Sequence, residues 1–176
     1  MNVILASTSP RRQMLLNRLA ITFDIIPPNV DESIVIPEGN PETYCISLAK
    51  LKANDISQHY PGHYIIAADT TVVIDDEFLG KPIDKHIAQK MLEKLSNKTH
   101  QVYTGVVIQC IDKNISHSFA ELTSVEFRNL NINDITYYIQ NYHPYDKAGS
   151  YGVQDWSSIF VKEIRGCYDN VVGFPL

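Results

Sequence analysis

Cysteine is scarce in this chain of 176 residues. Cys45, Cys110 and Cys167 are too few and too scattered for a disulfide framework or a zinc site. They read as reduced thiols, which places the protein in the cytoplasm. Basic residues are also in deficit, with fifteen Lys and Arg against twenty Asp and Glu and a formal net charge of −5. Broad nucleic-acid binding needs a basic face and is disfavoured, while a local basic pocket remains open. No run approaches the roughly 20 apolar residues of a membrane helix, so no membrane partner is expected. No basic leader precedes the short apolar run Val3–Ala6, which therefore reads as a first strand and not as a secretory signal. Repeats, low-complexity tracts and Gly/Ser linkers are missing, and the length suits one domain over residues 1–176, or one domain with a small lobe. No glycine-rich fingerprint follows the first strand, which excludes a doubly wound dinucleotide fold. No serine sits in a G-x-S-x-G elbow.

What is present alternates between strand and helix signals. After Val3–Ala6, Ser7-Thr8-Ser9-Pro10 leads into a helix, with Ser9 as N-cap, Pro10 at its first position and Met14, Leu15 and Leu19 as an apolar stripe. Residues 21–26 form a second strand, ended by Pro27-Pro28. A loop carries Asp31 and Glu32. Asn40-Pro41-Glu42 opens a helix to about Ser57 with Cys45, Leu48 and Ile56 on one face. Tyr64–Ala68 is a continuous apolar run, as in a strand buried on both faces; it ends at Asp69-Thr70-Thr71. Asp84 caps a helix to about Ser96, with Ile87, Met91 and Leu95 inward. Residues 101–111 and 115–128 form a hairpin about Asp112-Lys113-Asn114, and residues 134–142 a short helix. The C-terminal segment offers one more strand and a glycine turn. The pattern predicts an α/β fold with a mixed sheet.

Several groups could carry chemistry. Ser7, Ser9, Arg11 and Arg12 gather hydroxyls and two guanidiniums at a helix N-terminus, where unpaired N–H groups already favour an anion. Positive charge there opposes the helix dipole, so an external anion could compensate it; a solvated helix start with surface arginines is equally compatible. Asp69, delivered by a buried strand, could hold a metal or deprotonate water, or merely close an Asx-turn to Thr71. Asp31-Glu32 could fold over that site or stay a solvated loop pair. Lys52, beside an apolar helical stripe, and Lys81, in Gly80-Lys81-Pro82, could neutralise phosphate, or be surface lysines with snorkelling stems. The glycines of Lys147–Gln154 could admit a ligand close to backbone, although a plain turn suffices. The six histidines have no companion cysteines, and a histidine-based metal site is not expected.

The segments LASTSPRRQMLL, Asp31-Glu32, SLAKLKA, AADTTVVIDDEFLGKP, THQVYTGV, DKAGSYGVQ and FVKEIRGCYDNVVGFPL, in this order, resemble the Maf family of nucleotide pyrophosphatases over essentially the whole chain. The resemblance implies a mixed α/β fold related to the inosine triphosphatases: a mixed central β-sheet flanked by helices. It implies hydrolysis of a nucleoside triphosphate to monophosphate and pyrophosphate with a divalent cation; the hard oxygen ligands of such a site suit Mg²⁺ or Mn²⁺. Carried over by position, Asp69 is the catalytic acid/base residue, and Arg12, Glu32, Lys52 and Lys81 match the family's other functional polar positions. Arg11, Thr70 and Gln154 stand at the three specificity positions as in the subgroup that hydrolyses dTTP and UTP. Thr71 and Asp155-Trp156 depart from the pattern around those positions.

The chemistry agrees with that resemblance. Water attack at an α-phosphate needs the triphosphate charge neutralised, which Ser7, Ser9, Arg12, Lys52, Lys81 and a metal held by Asp69 and Glu32 would supply, with Asp69 deprotonating the water. The partner expected is a nucleoside triphosphate, with a homodimer allowed. The alternatives are a pyrophosphatase for 7-methyl-GTP or other modified nucleotides, and a nucleotide-binding regulator of septum formation with little turnover.

Overall fold

The structure is a computed structural model that describes residues 2–176. Seven strands form one mixed sheet: β1 (Val3–Leu5), β2 (Asp24–Ile25), β3 (Tyr64–Ile74), β4 (Glu77–Leu79), β5 (Thr99–Cys110), β6 (Ile115–Phe127) and β7 (Val161–Arg165). Their hydrogen-bonded order is β2-β1-β3-β5-β6-β7, with β4 paired to β3 off that path. β1 runs parallel to β2 and β3, whereas β3–β4 and β6–β7 are antiparallel. The helices are α1 (Pro10–Asn17), α2 (Pro41–His59), α3 (Lys85–Leu95), α4 (Ile132–Tyr142) and α5 (Tyr168–Val172).

The chain clusters into two compact units. The first comprises residues up to Thr70, Thr104–Glu121 and Gly173–Leu176; the second comprises Thr71–Tyr103 and Leu122–Val172. In the first, Ile4, Ala6, Ile65, Ala67 and Val107 pack with Ala49, Ala53 and Ile56 of α2. The small alanines let helix and sheet approach closely. In the second, Val72, Leu92, Val102, Val125, Phe127, Ile135, Tyr138, Tyr151 and Phe160 belong to a larger aromatic core.

Local capping set several boundaries. The Asn40 side chain accepts from the N–H groups of Glu42 and Thr43, and Asp84 Oδ1 accepts from Ile87 N at 2.8 Å. α4 starts at Ile132, earlier than residue 134, because the Asn131 side chain accepts from Asp134 N. The β5–β6 turn takes Asn114 into positive φ, as a tight hairpin requires.

Other expectations need correction. α1 ends at Asn17 and buries Leu15 and Leu16, leaving Met14 and Leu19 about half exposed. The strand expected over residues 21–26 shrinks to two exposed residues, since β2 is a sheet edge with a partner on one side only. On α3 the inward residues are Ala88, Leu92 and Leu95, with Ile87 and Met91 half-buried beside them. α5 was not expected at all; its five residues sit among turn-like glycines. The most consequential correction concerns Asp69. β3 does not stop there but continues without a break to Ile74, so Asp69 is a mid-strand residue and the Asx-turn reading fails. Thr70 and Thr71 are β-branched and fit a pleated strand, and the Thr70 hydroxyl has partners inside the protein.

Candidate active site

The first unit brings together Arg12, Glu32, Lys52, Asp69 and Thr70. Lys52 is buried, 6% exposed, on the face of α2 that also buries Leu48, Ala49, Ala53 and Ile56. It is not a snorkelling surface lysine. Its Nζ lies 2.5 Å from Asp69 Oδ1 and 3.1 Å from Glu32 Oε1. Two carboxylates from distant segments thus meet on one ammonium, one of them buried in the sheet and the other half exposed on a 3-10 turn, Glu32–Ile34.

The Asp31-Glu32 pair divides its work. Asp31 accepts from Ser33 N and Ser33 Oγ, and these bonds lower its pKa; it caps the turn that carries Glu32. Only Glu32 reaches Lys52.

The arginine cluster is likewise resolved for one member. Arg12 is not a solvated helix-start residue: its Nε donates to the Gly173 carbonyl at 2.9 Å and its Nη2 to Thr70 Oγ1 at 3.1 Å. Desolvation lowers its pKa most; the charge of Asp69 acts in the opposite direction, Arg11 lowers it further and Glu32 raises it. Arg12 is therefore held within the field of both carboxylates, with Arg11 near. The first turn of α1 contains no acid, so its dipole end is not neutralised from within the helix. Ser7 is buried and its Oγ accepts from Ser9 N at 3.1 Å, which shapes the strand-to-helix turn; the Ser9 side chain makes no capping bond.

Three residues that the sequence reading left without a role complete this region. Thr104 of β5 is fully buried, and its Oγ1 lies 2.9 Å from Thr70 Oγ1. Gly105 lets α2 press on β5: a Cβ there would stand 2.4 Å from the Cys45 carbonyl carbon. Tyr44 of α2 has its pKa raised by desolvation first, then by the charges of Asp69, Cys45 and Glu32. The signal for two of them was the THQVYTGV segment, where a glycine interrupts a strand.

Lys81 and Gln154 belong to the second unit, both exposed. The Gly80 carbonyl that precedes Lys81 accepts from Gly149 N at 3.1 Å, and Gly149, at φ +66°, packs on Val72. The glycine of DKAGSYG thus serves a structural turn that ties down the Lys81 loop. Tyr151 of the same segment is buried with its hydroxyl 2.8 Å from His100 Nε2.

No group of three or more His, Cys, Asp or Glu side chains converges as a ready-made metal cage among the described residues. His59 and His63, four apart, share no helical face because α2 ends at His59. Asp69 and Glu32 still fit a hard divalent ion. Both are carboxylates within reach of one cationic point, and Mg²⁺ typically takes one or two carboxylates with phosphate and water completing its shell.

A family model described as Maf-like protein matches residues 2–176. Among similar curated proteins, the dTTP/UTP pyrophosphatase of Clostridium beijerinckii is 47% identical over 177 residues, covering 100% of this chain and 94% of that one. That of Ruminiclostridium cellulolyticum is 44% identical over 175 residues, 99% of this chain and 91% of that one. That of Pyrococcus furiosus is 47% identical over 176 residues, 99% and 90%. Among solved structures, the Staphylococcus aureus Ham1 protein aligns with a TM-score of 0.51 at 17% identity, over 72% of each chain. A HAM1 protein from Coxiella burnetii aligns with a TM-score of 0.52 at 15% identity, over 72% of this chain and 73% of that one. At such identities the likeness is one of fold alone.

Proposed function

The chain belongs to the Maf family, and from that premise we propose that it hydrolyses dTTP and UTP to the monophosphate and pyrophosphate, with Asp69, Lys52, Glu32 and Arg12 as its catalytic centre. The observation that carries the reading is the buried Lys52 ammonium shared by Asp69 and Glu32, in a unit where Arg12 feels both carboxylates. A triphosphate brings several negative charges to a place that already holds fixed cations at low local dielectric, where each is worth more than in water.

The geometry supports a role for each of these residues. Arg12, braced by the Gly173 carbonyl and Thr70, cannot swing away and presents its remaining N–H groups to phosphate oxygen. Lys52 holds Asp69 Oδ1, which leaves Oδ2 to take the proton of the attacking water. The water oxygen bonds to the α-phosphorus as the bond to the bridging oxygen breaks, and that electron pair leaves with pyrophosphate. Asp69 and Glu32 would hold the divalent cation, Mg²⁺ or Mn²⁺; when bound, it supplies charge neutralisation on the phosphates. Ser7 and Ser9 shape the turn ahead of α1, and Lys81 adds a further cation.

Arg11, Thr70 and Gln154 are the specificity residues of this reading. A uracil or thymine edge presents O2 and O4 acceptors and an N3–H donor, which Gln can match with both amide groups and Arg with donors. The three cysteines, none of them in a disulfide among the described residues, are in keeping with a reducing cytoplasm, and no helix among the described residues is long and apolar enough to cross a membrane. The partner is free nucleotide and not nucleic acid, in keeping with the net charge of −5.

The test is kcat/KM for pyrophosphate release from dTTP, UTP, CTP, GTP and 7-methyl-GTP, with Gln154→Ala alongside. Leaving a buried polar group unpaired costs about 1–3 kcal/mol, so two mismatched contacts give roughly tens- to thousands-fold preference for dTTP and UTP. Equal cleavage of 7-methyl-GTP would overturn the substrate assignment. Nucleotide binding without pyrophosphate release would overturn the enzyme and favour a regulator of septum formation.

A further inference from the structure

The THQVYTGV segment contributes no charged group to the centre, yet its Thr104 lies directly beneath it. The Thr104 side chain has no exposed surface, and its hydroxyl meets Thr70 Oγ1 at 2.9 Å. Thr70 Oγ1 in turn accepts from Arg12 Nη2 at 3.1 Å and stands 3.4 Å from the Gly173 carbonyl. That carbonyl already accepts from Arg12 Nε at 2.9 Å. The geometry points to Thr104 as a positioning residue: through the Thr70 hydroxyl it fixes the direction in which Arg12 presents its guanidinium to a polyphosphate. The inference rests on the proposed function and deepens it.

A hydroxyl donates one hydrogen and offers two lone pairs. Arg12 has only hydrogens to give, so Thr70 must present a lone pair to it. The Thr70 hydrogen therefore points elsewhere, to Thr104 or to the Gly173 carbonyl. If it goes to Thr104, that hydroxyl is its better partner, at 2.9 Å against 3.4 Å. If Thr104 donates instead, Thr70 accepts twice and its hydrogen is left for Gly173. In both arrangements Thr104 removes the rotational freedom of Thr70 and keeps a lone pair on Arg12. Without it, the Thr70 hydrogen has, among the described residues, the longer contact to a carbonyl that Arg12 also uses. A guanidinium removed from water tolerates loosened support poorly, because each unpaired N–H there has no solvent to replace the lost acceptor.

Thr104→Val keeps the shape and the strand preference while removing the hydroxyl; Thr104→Ser keeps the hydroxyl. Two readouts are taken on the full chain: kcat and KM for pyrophosphate release from dTTP, and binding of inorganic pyrophosphate by calorimetry. The expected result is a fall of about 3- to 10-fold in kcat/KM and in pyrophosphate affinity for Thr104→Val, the range one hydrogen bond spans. Thr104→Ser restores both, and the effect of Thr104→Val disappears in a Thr70→Val background, because the coupling runs through that hydroxyl. Unchanged values in Thr104→Val, equal loss in the Ser variant, or additive losses in the double variant would each overturn the inference. Failure of the parent reading is separate: a wild-type chain that releases no pyrophosphate from any nucleotide can still bind inorganic pyrophosphate in a Thr104-dependent way.

Discussion

Asp69 and Lys52 are a buried pair of opposite charge, and a variant of the carboxylate tests the chemistry directly. Asp69→Asn keeps the side-chain volume but removes the base and one negative charge from the cation site. The expected loss in pyrophosphate release is about 10²–10⁴-fold, the usual worth of a general base, in a protein whose circular dichroism is unchanged. His100 makes a prediction of another kind. Burial pushes its pKa down to about 3 from an ordinary 6.5. The unfolded chain therefore binds a proton that the folded one refuses over the whole interval between those values. The stability that His100 permits is complete above about pH 6.5 and falls as the pH is lowered toward 3. At pH 5 the deficit is about 2 kcal/mol, from roughly 1.4 kcal/mol per pH unit. Urea unfolding at pH 7 and pH 5 measures it, and the acid-side loss shrinks in His100→Gln.

At the scale of elements, the centre exists because α2 lies against β5 with backbone nearly touching backbone. Gly105 is the contact. An added Cβ would stand 2.4 Å from the Cys45 carbonyl carbon and 2.5 Å from Ile46 N, and a helix backbone cannot step aside as a side-chain tip can. Gly105→Ala must push α2 outward, at a cost of about 1–3 kcal/mol in unfolding free energy, as for overpacking in general. Because α2 also carries Lys52, the same change lowers kcat under conditions where the protein stays folded; denaturation and turnover measured on one sample separate the two effects. The caps that begin α2 and α3 were legible in sequence, since Asn40 and Asp84 act on N–H groups two or three residues away, whereas the Asn131 cap of α4 was missed and that helix placed two residues late. The uninterrupted β3 was not legible either, because Asp69-Thr70 resembles a turn until its partners on other segments are known.

For the whole molecule, the expected behaviour is that of a cation-dependent hydrolase. Exhaustive chelation removes pyrophosphate release, and Mg²⁺ or Mn²⁺ restores it, since carboxylate and phosphate oxygens are hard ligands that suit these ions better than zinc. Stopped activity without loss of fold, followed by thermal unfolding, is the outcome that fits two carboxylates already held by Lys52. Full turnover after chelation would contradict it.

The amino-acid sequence alone determined what acts over a few residues: the order of the main strands and helices up to α4, the hairpin at Asn114, the caps at Asn40 and Asp84, and an anion-seeking cluster of hydroxyls and arginines. In their ordered combination, its motifs also pointed to the family. The tertiary structure alone decided which candidates meet. It buried Lys52 between Asp69 and Glu32, spent Asp31 on a turn, and braced Arg12 on a carbonyl 161 residues away. It also brought Thr104 under Thr70. Charge burial and hydrogen-bond pairing depend on what packs from distant segments. A local pattern specifies which groups are available, and only the packed chain sets which of them lose water and must pair with one another.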